Sequence, residues 1–172
     1  MRAYGPVPSR RLGRSMGVNN IPAKKCTYSC IYCQLGRTVK PEKKRKVFFK
    51  TEDIVNDVKE KVKQTKEAEE KIDYLSFVPD GEPTLDKELG EKIDLLRPLG
   101  IDIAVITNAS LLWKEEVRSD LKKANWVSVK IDAVSEKIWR QVNRAEPSLE
   151  LEKILEGIKT FSNNFDGTLI TE

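Results

Sequence analysis

Apolar positions in the last two thirds of the chain follow two alternating spacings, one helical and one extended. Within residues 51–71, Ile54, Val58 and Val62 recur every four positions, which predicts a surface helix with one apolar face. The segment 101–108, "IDIAVITN", is instead a continuous apolar run of strand length. Such a run is typical of a parallel strand that is covered on both faces. The alternation therefore predicts an α/β fold.

The same two patterns predict five strands and five helices. The strands are expected at 15–21, 72–78, 101–108, 126–134 and 167–172, and the helices at 51–71, 86–97, 114–124, 135–144 and 148–165. Strands separated by helices form right-handed βαβ units and a parallel sheet. We therefore expect a partial (β/α) barrel of the TIM type, whose site lies at the carboxyl ends of the strands.

The 172 residues are predicted to form one domain. Residues 1–20 are expected to be a basic N-terminal extension and residues 37–50 a basic loop. Residues 15–21 are also predicted to form the first strand. The predicted barrel ends at the fifth strand, which exposes an unpaired edge. A shortened barrel of this kind calls for a further C-terminal segment or for an oligomeric partner.

All three cysteines of the chain lie within "CTYSCIYC", as Cys26, Cys30 and Cys33. Bridges across these spacings would close very small loops, and an odd count leaves one thiol over. Clustered thiolates are instead typical ligands of Fe–S clusters and zinc. The absence of histidine removes the commonest general base and the commonest partner of cysteine in zinc sites. We therefore predict a metal centre on this loop.

Charge is distributed unevenly. Residues 1–50 carry thirteen Lys or Arg against one acid, whereas the remainder of the chain has a net charge of −8. A basic block of this size attracts anionic partners such as RNA. The alternative is a solvated basic loop, because aromatic residues do not alternate with the basic run as in single-strand binders. Reduced thiols without a signal-peptide pattern predict a cytoplasmic protein, and no apolar run is long enough to predict a membrane anchor.

The spacing C-x3-C-x2-C, with Tyr32 before the last cysteine, resembles the signature of the radical S-adenosylmethionine (SAM) superfamily. The longer string "YGPVPSRRLGRSMGVNNIPAKKCTYSCIYCQLGRT" resembles a branch related to archaeal wyosine-base (tRNA) synthases. By this resemblance, Cys26, Cys30 and Cys33 bind a 4Fe–4S cluster whose fourth iron chelates SAM. The implied reaction is reductive cleavage of SAM to a 5′-deoxyadenosyl radical, which abstracts hydrogen from a substrate. The implied partners are a reductant such as ferredoxin or flavodoxin and an RNA substrate, with a tRNA base as the specific expectation.

The resemblance also assigns residues to SAM. Those expected at the cofactor are Tyr32, Gly81, Glu82, Thr107, Asn108, Ser128, Lys130 and Asp132. "DGE" at 80–82 stands where the superfamily has "GGE", and "ITN" ends the third predicted strand. Both segments have simpler interpretations: "DGE" as a strand-to-helix turn, and "ITN" as an Asx turn that ends the strand. Ser128, Lys130 and Asp132 form a polar stripe on a strand that is predicted to be buried. The alternative to SAM binding is an ion pair within the barrel that has only a structural role.

Two other functions are compatible with the sequence. An iron–sulfur electron-transfer protein would keep the cluster and ignore SAM. A nucleic-acid-binding module would use a structural metal and bind RNA with a steep dependence on salt.

Overall fold

The structure, a computed structural model, describes residues 2–172 and contains one six-stranded sheet. The strands lie side by side in chain order, β1 to β6. Their bounds are Ala3–Ser9, Gly13–Val18, Tyr74–Phe77, Asp102–Thr107, Trp126–Val129 and Thr168–Thr171 for β1 to β6. The helices α1 to α5 span Thr51–Glu67, Leu89–Leu96, Glu115–Leu121, Glu136–Asn143 and Leu151–Ser162, and short 3₁₀ turns span Pro83–Leu85 and Arg97–Leu99.

The five predicted parallel strands are confirmed as β2 to β6, in a mostly parallel α/β sheet of the partial-barrel type. Most of the segment predicted as a basic extension, residues 1–20, belongs to the sheet. Residues 3–18 form an antiparallel hairpin, β1–β2, with an irregular register between Tyr4 and Val7. β1 therefore adds a sixth strand at the edge of the sheet.

The side chains that alternate along the strands divide the sheet into two faces. Eight apolar residues, two from each of β2 to β5, are completely buried in the main core beneath the helices: Met16, Val18, Leu75, Phe77, Ile103, Val105, Val127 and Val129. Burying this much apolar surface is the main stabilisation of the fold. On the opposite face, Leu12 at the turn of the hairpin packs against Ala104 and Trp126.

The prediction of a strand over 126–134 is wrong in its second half. β5 ends at Val129, so that Lys130 and Asp132 lie in the following loop, where Lys130 is half-buried and Asp132 is exposed. The expected buried polar stripe therefore reduces to Ser128. None of the helices in residues 2–172 has the length and apolar character that a membrane-spanning helix requires.

Candidate active site

The three cysteines line one cavity, which has a volume of about 530 Å³. This lies within the range of about 300–1,000 Å³ that small-molecule sites occupy. The cavity is at the carboxyl ends of the parallel strands, because Val78 to Gly81 follow β3 and Lys130 follows β5. The hairpin supplies one more wall through the side chain of Tyr4. This candidate cavity therefore lies at the edge of the sheet where a site is predicted.

Backbone contacts fix the start of the cysteine loop to the segment after β3. The amide of Lys24 donates to the carbonyl of Asp80 at 2.6 Å, and the amide of Glu82 donates to the carbonyl of Lys25 at 2.9 Å. A Cβ atom on Gly81 would lie 2.1 Å from the Lys25 carbonyl oxygen. Only glycine allows this approach without a shift of the backbone.

The C-terminal end of α4 holds the middle of the cysteine loop. The amides of Ser29 and Ile31 donate to the carbonyls of Asn143 and Val142, each at 2.9 Å. These carbonyls belong to the last turn of the helix, which lacks donor partners within the helix itself. The loop therefore completes the helix end, and the helix end orders the loop.

Side-chain amides contact two of the three sulfurs. The Nδ2 atom of Asn108 lies 3.5 Å from the Cys26 Sγ, and the Nδ2 atom of Asn143 lies 3.3 Å from the Cys30 Sγ. Amide N–H groups only donate, so both contacts favour negative charge on sulfur. Such donors stabilise the thiolate, which is the form of cysteine that binds a metal.

The carboxylate of Glu82 is completely buried behind the cavity wall and accepts four hydrogen bonds. The donors are the Thr84 amide at 3.1 Å, the Thr84 hydroxyl at 2.5 Å, the Thr107 hydroxyl at 2.6 Å and the Asn108 amide at 2.8 Å. Burial raises the pKa of Glu82, and these donors oppose it. Glu82 thus joins the loop after β3 to the end of β4.

Burial raises the pKa of the Cys26 thiol to about 12, and the negative charge of Glu82 contributes to this rise. A metal must therefore displace a proton from this sulfur when it binds. No three Cys, His, Asp or Glu side chains within residues 2–172 converge on a single metal ion. A cubane cluster makes a different demand, because each cysteine binds a different iron.

Comparison with known proteins bears on which kind of metal centre these thiols suit. Residues 20–171 match the model of the radical SAM superfamily. The chain belongs to the radical SAM superfamily. The match begins just before the cysteine loop and ends in β6, so that it includes every parallel strand after β2.

One relative of this radical SAM chain is a UPF0026 protein of Methanocaldococcus jannaschii. The two are 52% identical over 170 residues, which are 99% of this chain and 52% of the relative. The chain therefore spans about half the length of that curated relative.

Two solved structures share the radical SAM fold. TYW1 with a lysine–pyruvate adduct bound matches with a TM-score of 0.67 and 17% identity, covering 92% of this chain and 55% of that chain. Streptococcus suis SuiB bound to S-adenosylmethionine matches with a TM-score of 0.59 and 18% identity, covering 88% of this chain and 32% of that chain. At these identities the likeness shows the fold.

The donor set of this radical SAM chain fits a 4Fe–4S cluster. Three thiols border one cavity, and amide donors contact two of them. Each thiol can therefore bind a different iron of one cubane, as such a cluster requires.

The residues predicted to contact SAM divide into two groups. Tyr32, Gly81 and Lys130 line the cavity with the cysteines, and the Lys130 Nζ lies 4.2 Å from the centre of the Tyr32 ring. The other five do not line it, and they contact protein groups: Glu82, Thr107, Asn108, Ser128 and Asp132. Ser128, for example, donates to Glu172 Oε1 at 2.9 Å. The assignment of all eight residues to SAM stays a prediction.

Two residues of α4 that order the cysteine loop were not predicted from the sequence. The Nε1 atom of Trp139 donates to the Tyr28 hydroxyl at 3.1 Å, and their rings meet edge to face. Burial raises the pKa of that tyrosine. Trp139 and Asn143 are four positions apart and so lie on the same face of α4. A polar residue on the apolar face of a helix was the feature of the sequence that could have identified Asn143.

Proposed function

We propose that this chain is the catalytic part of a radical SAM enzyme, in which Cys26, Cys30 and Cys33 hold a 4Fe–4S cluster and the adjoining cavity takes SAM. The main support is that the three thiols line one cavity together with Gly81, Tyr32 and Lys130, at the carboxyl ends of the strands. The structural likeness to SuiB, which has SAM bound, supports a SAM site on this fold.

Cys26, Cys30 and Cys33 would hold the 4Fe–4S cluster, which would supply the chemistry of one-electron reductive cleavage of SAM to a hydrogen-abstracting 5′-deoxyadenosyl radical. The protein groups act by position. Gly81 lets the cysteine loop approach the segment after β3, and Lys130 provides a cation for a carboxylate. Glu82, Thr107 and Asn108 hold the cavity wall from behind.

The electron requires a reductant, for which a ferredoxin or flavodoxin is the proposed class of partner. These partners are consistent with a cytoplasmic enzyme, the proposed location. Whether the overall reaction is that of an oxidoreductase or of a synthase depends on the fate of the substrate radical.

The proposed substrate is RNA, and specifically a tRNA base. The support is the number of basic side chains in the first fifty residues that have no acidic partner. Within residues 2–172, seven basic side chains of the first fifty have no acidic partner: Arg10, Lys24, Arg37, Lys40, Lys43, Lys44 and Lys50. Lys24 lines the cavity itself. Uncompensated cations in the segment that carries the cysteine loop favour a polyanionic substrate.

The test is anaerobic reconstitution with iron and sulfide, followed by dithionite and SAM, with 5′-deoxyadenosine measured by mass spectrometry. A Cys30→Ala variant is the blank. Wild-type protein should produce 5′-deoxyadenosine and the variant should not. A full cluster that yields no 5′-deoxyadenosine, and whose EPR signal is unchanged by SAM, would overturn the proposal in favour of electron transfer.

A further inference from the structure

Asn143 makes a set of contacts that the proposed cleavage of SAM does not use. Its side chain is buried at the end of α4, only 1% exposed. The Nδ2 atom lies 3.3 Å from the Cys30 Sγ and 2.5 Å from the Asp132 Oδ2. A primary amide carries two N–H donors, and these two contacts account for both.

Asp132 fixes the orientation of this amide. If the amide were rotated by half a turn, its oxygen would face the Asp132 carboxylate and would also replace the donor at Cys30 Sγ. Two acceptors in contact repel each other, so the orientation with nitrogen towards both atoms is preferred. Asp132 is held in turn, because its Oδ2 also accepts from the Tyr32 hydroxyl at 2.5 Å.

The three cysteines are not equivalent in their donors. Cys30 has the closest side-chain amide donor, from Asn143 at 3.3 Å, and Cys26 has a longer one, from Asn108 at 3.5 Å. The Asn108 amide also donates to the Thr27 hydroxyl at 2.9 Å. Within residues 2–172 no side-chain amide donates to the sulfur of Cys33.

We propose that Asn143 is a positioning residue that raises the reduction potential of the cluster by donating a hydrogen bond to Cys30, with Asp132 orienting the amide. This inference rests on the proposed function, because it requires a cluster on the three cysteines. Hydrogen bonds to cluster sulfurs are one of the main determinants of the potential. They stabilise the reduced state more than the oxidised one, since the reduced state carries more negative charge. Loss of the donor therefore lowers the potential.

The experiment is a redox titration of the reconstituted cluster, followed by EPR and carried out without SAM. The variant Asn143→Leu keeps a similar volume and removes both donors, and Asn143→Ala serves as a second variant in case leucine does not fit. The matched control is Asn163→Leu, the same chemical change at an exposed position just after α5. Iron content is measured for each protein, so that potentials are compared only between equally loaded proteins.

Both Asn143 variants should have a more negative midpoint potential than wild type, and Asn163→Leu should match wild type. Asn108→Ala should produce a smaller negative shift, because its contact is longer and is shared with Thr27. An unchanged or more positive potential in the Asn143 variants would overturn the inference. So would failure of both variants to hold iron while Asn163→Leu holds it, since Asn143 would then be required for assembly. Absence of a cluster from wild-type protein would instead count against the proposed function.

Discussion

The backbone at Gly81 lies so close to the Lys25 carbonyl oxygen that a Cβ atom would be only 2.1 Å from it. Lys25 directly precedes the first cysteine, and its carbonyl accepts from the Glu82 amide. We therefore expect Gly81→Ala to push the start of the cysteine loop away from β3. The cost should be about 1–3 kcal/mol of folding free energy, together with a loss of bound iron after reconstitution. Urea unfolding and iron analysis measure the two effects.

Gly100→Ala is the control that separates the clash at Gly81 from the general effect of replacing glycine with alanine. Gly100 has a φ of +68°, and apart from its two neighbours in the chain no residue comes within 4 Å of the position that its Cβ would take. Alanine there should cost about 1–2 kcal/mol through backbone conformation alone. It should lower stability and leave iron content unchanged. If Gly81→Ala retains as much iron as Gly100→Ala, the contact with Lys25 does not order the cysteine loop.

Glu82→Gln is expected to destabilise the protein by about 1–3 kcal/mol, because it places a donor against a donor. One carboxylate oxygen accepts from the Thr84 amide and the other from the Asn108 amide. A glutamine NH₂ group would therefore face a backbone N–H in either orientation. The exposed residue Glu156, on α5, provides the matched control Glu156→Gln, which should stay within about 0.5 kcal/mol of wild type. Equal urea midpoints for the two variants would contradict the role of Glu82 as a link between β3 and β4.

A second buried charge, on Asp86, is balanced by Lys92 of α2. The Nζ–Oδ2 distance is 3.1 Å, and both side chains are completely buried. We expect Lys92→Met to cost about 3–5 kcal/mol at neutral pH, since it leaves an uncompensated buried carboxylate. The exposed control Lys63→Met should cost little.

The pH dependence of the Lys92→Met variant provides a sharper test. Burial raises the pKa of Asp86, and Lys92 lowers it. A carboxyl group whose pKa is raised by folding stabilises the protein in its protonated form, and that stabilisation is lost as the pH rises through the folded pKa. The variant lacks the opposing cation, so its deficit should shrink as the pH is lowered from neutral towards about 4. A deficit that is constant over this interval in urea titrations would show that the lost stability does not come from the charge of Asp86.

The parallel part of the fold was predictable because buried parallel strands are continuous apolar runs that are separated by amphipathic helices. β1 was not, since Gly5, Pro6 and Pro8 normally argue against a strand. They are tolerated because β1 pairs on one side only, and its register is interrupted between Tyr4 and Val7. The prediction of a polar stripe that continues after Ser128 was wrong because the sequence pattern there resembles a strand where the structure has a loop. The alternation of residue types continues past Val129, but the strand does not.

The cysteines of the site could be found from local spacing, whereas their supporting residues could not. Cys30 and Asn143 are 113 positions apart, and their contact depends on how the end of α4 meets the cysteine loop. The sequence predicts Glu82 and Thr107 as SAM contacts but does not reveal that their side chains form a hydrogen bond with each other. Such pairings are set by tertiary packing, and the local periodicity of the sequence carries no information about them.

RNA binding provides a test of the basic loop that is independent of the cluster. Arg37, Lys40 and Lys44 are exposed cations of this loop, and among the described residues they have no acidic partner. Replacing all three with alanine should weaken binding to a tRNA transcript. It should also reduce the slope of log affinity against log salt by about 3, one for each phosphate that is no longer neutralised. Fluorescence anisotropy over a series of salt concentrations measures the slope.

The matched control for this triple variant replaces Lys59, Lys63 and Lys66, exposed lysines of α1, with alanine and so changes the net charge equally. Because these lysines lie on a helix outside the basic loop, the control should keep most of the wild-type slope. If the two triple variants lose the same slope, the attraction depends on net charge alone, and the basic loop is not the RNA-binding surface.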